Sequence, residues 1–199
     1  YPMSSHSSFS QPPCTITPSL LNLVAQISEV VGRRSVFTGQ EGDLRLRRLN
    51  SIRTIQGTLA IEGNGLSEAQ ITALLAGKRV VAPPREVQEA RNALVVYERF
   101  AQWRPEVEAD LLAAHGVLMA GLVDEPGRYR RGAVGVMKGE VVVHLAPPAE
   151  RVPALMHDLF AWLAAVEVHP LISAAIFHYE FAFIHPFTDG NGRMARLWQ

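Results

Sequence analysis

The chain has 199 residues, 48% of them hydrophobic and 19% charged, enough to bury a core and too apolar for global disorder. Its 19 basic and 19 acidic residues cancel, which argues against a protein built mainly to coat nucleic acid or an anionic membrane. Cys14 is the single cysteine, so an internal disulfide framework and a multi-cysteine zinc site are both excluded. A reducing, cytoplasmic setting fits that count. The polar first residues, Tyr1 to Gln11, lack the basic and apolar regions of a secretory signal. The most apolar region, Leu159 to Ile184, is interrupted by Glu167, His169, Pro170, His178 and Glu180, so it does not read as a membrane span.

In chain order, residues 1–16 are rich in Ser and Pro and read as a flexible tail. Thr17 followed by Pro18 reads as an N-cap and first helical residue. Leu20, Val24, Ile27 and Val31 then recur at helical spacing, with Gly32 as the expected stop. A second helix is predicted from about Asp43, with Leu49, Ile52, Gln56 and Leu59 on one face and an end near Gly63-Asn64-Gly65. Ser67 and Gln70 form a capping-box pattern before a short helix ending at Gly77. After Pro83-Pro84, a longer helix spans about Arg85 to Ala101 with Val87, Ala90, Leu94 and Tyr97 in its stripe. Another helix covers roughly Pro105 to Ala120.

Val134, Val136 and Val141 to Leu145, with Lys138-Gly139 between, read as a β-hairpin. Helices resume from about Glu150 to Val166 and from Pro170 to Ile184, and a last one follows a Gly-rich loop. The fold class expected is mainly α with one hairpin. Trp103, Trp162 and Trp198 read as core or half-buried anchors.

The loop from His185 to Arg196 concentrates chemistry. Gly190-Asn191-Gly192 can turn successive N–H groups inward as an anion nest, and the following helix adds its positive end. Arg193 and Arg196 lie three apart and suit multidentate phosphate contacts. Asp189 is a hard oxygen ligand beside that nest, where Mg2+ bridging phosphates would sit. His185 titrates near neutrality and suits a general base. Together these are the parts that move a phosphorus-containing group from a nucleotide to a hydroxyl.

The twelve residues His185-Pro186-Phe187-Thr188-Asp189-Gly190-Asn191-Gly192-Arg193-Met194-Ala195-Arg196 resemble the complete Fic motif, HPFx(D/E)GN(G/K)RxxR. Gly127-Arg128-Tyr129-Arg130 and the hairpin after it look like the segment before a Fic flap. The resemblance implies a Fic-type helical bundle with the hairpin as a flap beside the active-site loop. It also divides the chain into a tail (1–16), an N-terminal helical region (17–82) and a catalytic core (83–199), expected to be truncated at its C-terminal end.

The activity implied is transfer of AMP from ATP to a Tyr, Thr or Ser hydroxyl of a target protein, releasing pyrophosphate. In that reading His185 is the base and Asp189 holds Mg2+. Gly190, Asn191, Gly192 and Arg193 bind the α and β phosphates, and Arg196 reaches the γ phosphate. Pro186 and Phe187 shape and anchor the loop. Val136, Val141, Val142, Val143 and His144 would hold the target by strand-like pairing. Relatives often dimerise, so a homodimer is a further expectation. Relatives that move phosphate tend to carry Lys where this chain has Gly192, which favours the AMP donor. The alternatives are UMP, phosphocholine or phosphate as the transferred group, or a nucleotide-responsive interaction module without catalysis.

Thr58-Leu59-Ala60-Ile61-Glu62-Gly63 matches the family's inhibitory pattern, (S/T)xxxE(G/N). The expectation is that Glu62 pairs bidentately with Arg196 and puts negative charge where the γ phosphate belongs, with Thr58 one turn earlier helping to orient it. In some relatives the same Glu orients water for removal of AMP.

Other residues carry weaker signals. His6, His115, His144, His157, His169, His178 and His185 include no HExxH and no standard zinc spacing. Arg45, Arg47, Arg48 and Arg53 read as a solvated helix face, without the aromatic interleaving of a nucleic-acid site. No GxxxxGK[ST] phosphate loop occurs.

Overall fold

Apolar residues at helical spacing dictate most of what forms. A computed structural model describes residues 12, 14–35, 41–138 and 141–199; the side chains of 34, 35, 41–45, 136–138 and 141–144 lie outside that description. In order come α1 (Pro18–Ser35), α2 (Glu41–Ile61), α3 (Glu68–Leu75), α4 (Pro84–Arg99), α5 (Glu108–Leu118), β1 (Gly135–Lys138), β2 (Val141–Leu145), α6 (Val152–Ala165), α7 (Pro170–Ile184) and α8 (Asn191–Trp198). Single 3-10 turns occupy Phe100–Gln102 and Ala149–Arg151. No helix among the described residues is long and apolar enough to cross a membrane.

One apolar cluster joins α2 to α8. Ile55 and Leu59 from α2, Val96 from α4, Leu111 from α5, Phe181 from α7 and Met194 from α8 are all buried in it. Burying each such side chain contributes about 1.5–3 kcal/mol, which outweighs the weak intrinsic stability of short helices. The N-terminal helices therefore share a core with the C-terminal ones. Trp162 and Trp198 are buried and Trp103 is partly buried against the same cluster. The Trp198 indole N–H donates to the Pro105 carbonyl at 2.9 Å.

Local signals set most boundaries. Thr17 Oγ1 accepts from the Leu20 amide at 3.2 Å. Ser67 and Gln70 make both bonds of the capping box. Pro84 opens α4, where its missing N–H costs nothing.

Two expectations need correction. Helix α1 runs through Gly32 to Ser35, and its apolar stripe is not core: Ile27 and Val31 are 45% and 61% exposed. The periodicity is real, but α1 meets the bundle through edge contacts such as Ser28 Oγ against His169 Nε2 at 3.4 Å. On α2 the buried face is Ile52, Ile55, Thr58 and Leu59, while Leu49 is exposed because that end overhangs the core.

Strands β1 and β2 pair antiparallel, with a register shift between Val136 and Met137. Residues 139–140 lie outside the described residues. Arg130 ties the base of this ribbon to the end of α7. Its Nη2 donates to the Pro147 carbonyl at 2.6 Å, and its Nε donates to the His185 carbonyl at 2.8 Å.

Candidate active site

The loop between α7 and α8 is built from buried bonds. Helix α7 stops at His185, whose φ of 50° and ψ of 61° put it in the left-handed region. Among the described residues it alone is a non-glycine with positive φ. That conformation costs roughly 1–2 kcal/mol and persists because neighbours determine it. The His185 amide donates to the Phe181 carbonyl at 2.9 Å, and the His185 carbonyl accepts from Arg130. The Arg130 amide donates to the Pro186 carbonyl at 2.9 Å. Arg130 is 4% exposed and meets carbonyls rather than a carboxylate, so burial pushes its guanidinium pKa down.

Phe187 is fully buried and stacks on His115, with ring centroids 3.6 Å apart and planes 6° from parallel. Asn191, placed by sequence among the phosphate-binding residues, has its side chain committed elsewhere. Its Oδ1 accepts from the Phe187 amide at 2.9 Å and its Nδ2 donates to the Phe187 carbonyl at 2.8 Å. Both ends of the amide therefore brace the turn, and what Asn191 can offer an anion is its N–H in the first turn of α8.

His115 supports the loop from beneath. Its Nδ1 accepts from the Gly127 amide at 2.8 Å, so Nε2 carries the proton and donates to the Asp189 carbonyl at 3.1 Å. Burial pushes its pKa down to about 4, against the raising effect of the Asp189 carbonyl. Gly190 caps α8 with φ of 82°, and a Cβ there would lie 2.7 Å from Met119 Sδ, so glycine is required on both counts.

The charged groups converge at the start of α8. Asp189 Oδ1 accepts from the Gly190 amide at 2.6 Å and from Arg193 Nη2 at 3.2 Å; Oδ2 accepts from Arg85 Nη2 at 3.1 Å. Arg193 is 4% exposed, with the Glu89 carboxylate 3.5 Å from its Nη1. Its Nε and Nη1 are buried with no hydrogen-bond partner. Buried guanidinium donors beside a helix N-terminus are what an anion would satisfy. Among the described residues no group of three metal-ligating side chains exists. Asp189 is the carboxylate at this helix start that could hold a cation, and both of its oxygens accept from Gly190, Arg193 or Arg85. Beside Thr188 and Asp189 opens a cavity of about 320 Å3, also lined by Tyr129 and Arg128.

Glu62 reaches this cradle from the end of α2. Its Oε1 accepts from Arg196 Nη2 at 2.6 Å. The contact is single rather than the bidentate pair expected, because Arg196 Nε is turned to Thr58 Oγ1 at 2.8 Å. Nη2 also donates to the Thr58 carbonyl at 3.2 Å. A Cβ on Gly192 would lie 2.6 Å from the Glu62 carboxylate, so only glycine admits it there. Tyr97 lies near enough for Arg196 to pull its pKa down against the larger upward effect of burial.

The structure brings Glu62, Thr58, Asp189, Gly190, Gly192, Arg193 and Arg196 together at the start of α8. Val136, Val141, Val142, Val143 and His144 lie in β1 and β2, and their side chains are outside the described residues. Missed by the sequence reading were Arg85 and Glu89, which no local pattern marks, Asn64, visible only as a turn residue, and His115, visible only as a helix residue. Arg47, Arg48 and Arg53 are exposed on α2.

Residues 105–199 match the Fic/DOC family. A protein named protein adenylyltransferase Fic, from Nematostella vectensis, is 31% identical over 180 residues, covering 83% of this chain and 41% of its own length. The protein adenylyltransferase fic-1 of Caenorhabditis elegans is 31% identical over 166 residues, 77% of this chain and 32% of its length. The chain therefore spans less than half the length of these curated relatives. A crystal structure of a Fic family protein from Desulfovibrio desulfuricans superposes with a TM-score of 0.87 at 59% identity, over 94% of this chain and 58% of that one. Fic-1 from C. elegans superposes with a TM-score of 0.69 at 29% identity, over 90% and 58%. The motif loop, the glycine-capped helix behind it and these matches agree: the chain carries a Fic/DOC family domain at residues 105–199.

Proposed function

We propose that the natural protein is an adenylyltransferase that moves AMP from ATP to a Tyr, Thr or Ser hydroxyl of a target protein. The observation that carries this reading is the cradle at the start of α8, where Arg193 holds two buried donors that make no hydrogen bond beside a glycine-capped helix N-terminus. The adenylyltransferase names of the relatives support ATP as the donor. The intact His185 favours transfer over mere nucleotide binding, which needs no base.

The chemistry follows from the chain's own groups. His185 Nδ1 lies 3.4 Å from the Ala182 carbonyl, and in this reading the imidazole is the general base. The target oxygen forms a bond to the α phosphorus as the bond between that phosphorus and the α–β bridging oxygen breaks. Pyrophosphate leaves with that electron pair, and His185 takes the hydroxyl proton. The amides near Gly192 and the guanidinium of Arg193 stabilise charge on the phosphates. Asp189 would hold Mg2+, which when bound neutralises charge on the α and β phosphates. The target segment would pair along β1 and β2, whose base Arg130 fixes beside His185.

In this reading Glu62 is a brake. Its carboxylate occupies Arg196 and places negative charge over Gly192, where the γ phosphate would lie. Removal of AMP with Glu62 orienting water, a homodimer and a cytoplasmic setting belong to the same reading.

The test is AMP transfer from α-labelled ATP with Mg2+, comparing the parent, Glu62→Gly, and Glu62→Gly with His185→Ala, on the chain itself and on a cell lysate. Glu62→Gly should label above the parent by about five-fold or more, the part due to freeing Arg196 from a pair worth about 1 kcal/mol. Adding His185→Ala should cut labelling by roughly 10²–10⁴-fold, the usual loss of a general base. No label from any folded form that binds ATP would overturn the reading in favour of another donor or a binding module.

A further inference from the structure

Arg193 presents an electrostatic problem that the Fic motif alone does not solve. Its side chain is 4% exposed, and its Nε and Nη1 lack the carbonyl acceptors that satisfy the equally buried Arg130, so its charge depends on a nearby carboxylate. Two are within reach. Asp189 Oδ1 lies 3.2 Å from Nη2, but Asp189 is 40% exposed and is the carboxylate that the proposed function commits to the cation. Glu89, on α4 and outside every motif, lies 3.5 Å from Nη1 with its side chain only 11% exposed.

Glu89 is itself held. Its Oε2 accepts from Asn64 Nδ2 at 3.0 Å. Asn64 is 5% exposed and pinned in turn: its Nδ2 also donates to the Glu86 carbonyl at 3.1 Å, and its Oδ1 accepts from the Leu66 amide at 3.1 Å. The neighbouring Glu86 carboxylate accepts from the Gly65 amide at 2.7 Å and fastens α4 to the same turn. The other cation near Glu89, Arg85, is 59% exposed and bridges Glu89 Oε1 at 3.4 Å and Asp189 Oδ2 at 3.1 Å. Such an exposed pair separates at little cost. The four charges therefore divide into a fixed pair, Glu89 with Arg193, and a movable pair, Arg85 with Asp189.

We propose that Glu89 is a positioning residue: through Nη1 it supplies the permanent counter-charge that fixes the Arg193 guanidinium, with Nε left for a phosphate oxygen, when Asp189 turns to a cation. The ligand in this statement rests on the nucleotide reading above; the positioning does not.

The experiment separates the two. Arginine Nε–H signals are recorded on 15N-labelled protein, with the Arg193 signal assigned by its loss in Arg193→Lys. Glu89→Gln keeps the shape and removes the charge, and it should shift or broaden the Arg193 signal while the backbone amide spectrum stays folded. Glu89→Asp keeps the charge on a shorter arm; it should move the signal less, and it decides alone if Glu89→Gln does not fold. An unmoved Arg193 signal in the folded variants overturns the proposal. In the Glu62→Gly background, Glu89→Gln should weaken ATP binding with Mg2+ about ten-fold and raise KM more than it lowers kcat, as misplacement of a binding group does. Unchanged ATP affinity and KM in folded Glu89→Gln would likewise overturn it. A moved Arg193 signal with no ATP bound by any form, Glu62→Gly included, upholds the positioning and removes the nucleotide reading instead.

Discussion

The turn between α7 and α8 and the end of α2 face each other across Gly192, yet they are held in opposite ways. The first is locked by buried bonds: Phe187 stacked on His115, the Asn191 amide spanning both polar groups of Phe187, and Arg130 on the carbonyls of His185 and Ile184. The second is joined through Arg196, which meets the hydroxyl and carbonyl of Thr58 and, at its outer end, the Glu62 carboxylate, whose side chain is 30% exposed. Losing a buried polar partner strands a desolvated group, whereas losing a half-exposed ion pair costs at most about 1 kcal/mol. A site that must keep its shape and still be switched needs both, the shape in the buried bonds and the switch in the exposed pair.

The contrast can be broken most forcefully at Phe187. Replacing this fully buried ring by Ala should cost about 3–5 kcal/mol of stability, visible as a lower denaturant midpoint. A loss under 1 kcal/mol would mean that the loop is not anchored through it.

Acid should act on the same anchor through His115. The unfolded state takes its proton near 6.5 and the folded state only near 4, so the unfolded state binds more protons between them. Stability should therefore fall as pH drops from 6.5 towards 4, with roughly 3 kcal/mol as the ceiling for this residue. His115→Gln, compared by unfolding at several pH values, should flatten that slope. An equal slope in both proteins would assign the acid sensitivity to other groups.

On the side of the exposed pair the effects should be smaller. Gly192→Ala puts a Cβ 2.6 Å from the Glu62 carboxylate and should displace it while α8 persists. A crystal structure of the variant should show Arg196 parted from Glu62; an intact pair would show that the close approach does not control it. Thr58→Ala removes one acceptor from Arg196 Nε and leaves the Thr58 carbonyl in place. It should raise AMP transfer by a few-fold, roughly what one hydrogen bond of about 1 kcal/mol allows. A drop below the parent would show Thr58 serving transfer rather than restraint.

Much of this was legible in the residues. The periodicity of α4, the Ser67 capping box and the left-handed Gly63 and Gly77 are set by neighbours a few positions apart, so sequence alone determined them. The same holds for the nest and arginines of His185 to Arg196, whose spacing along one turn and one helix already implies convergence. Only the tertiary structure decided which stripes become core. The stripe of α1 remains exposed at Ile27 and Val31, whereas Ile52 and Ile55 of α2 are buried, because burial depends on what packs opposite. It also decided that Asn191 braces the loop and that Glu89 and Asn64 stand behind Arg193. The pair of Glu89 and Arg193 spans more than a hundred positions of chain, and an ion pair of that range leaves no period or spacing in the sequence to read.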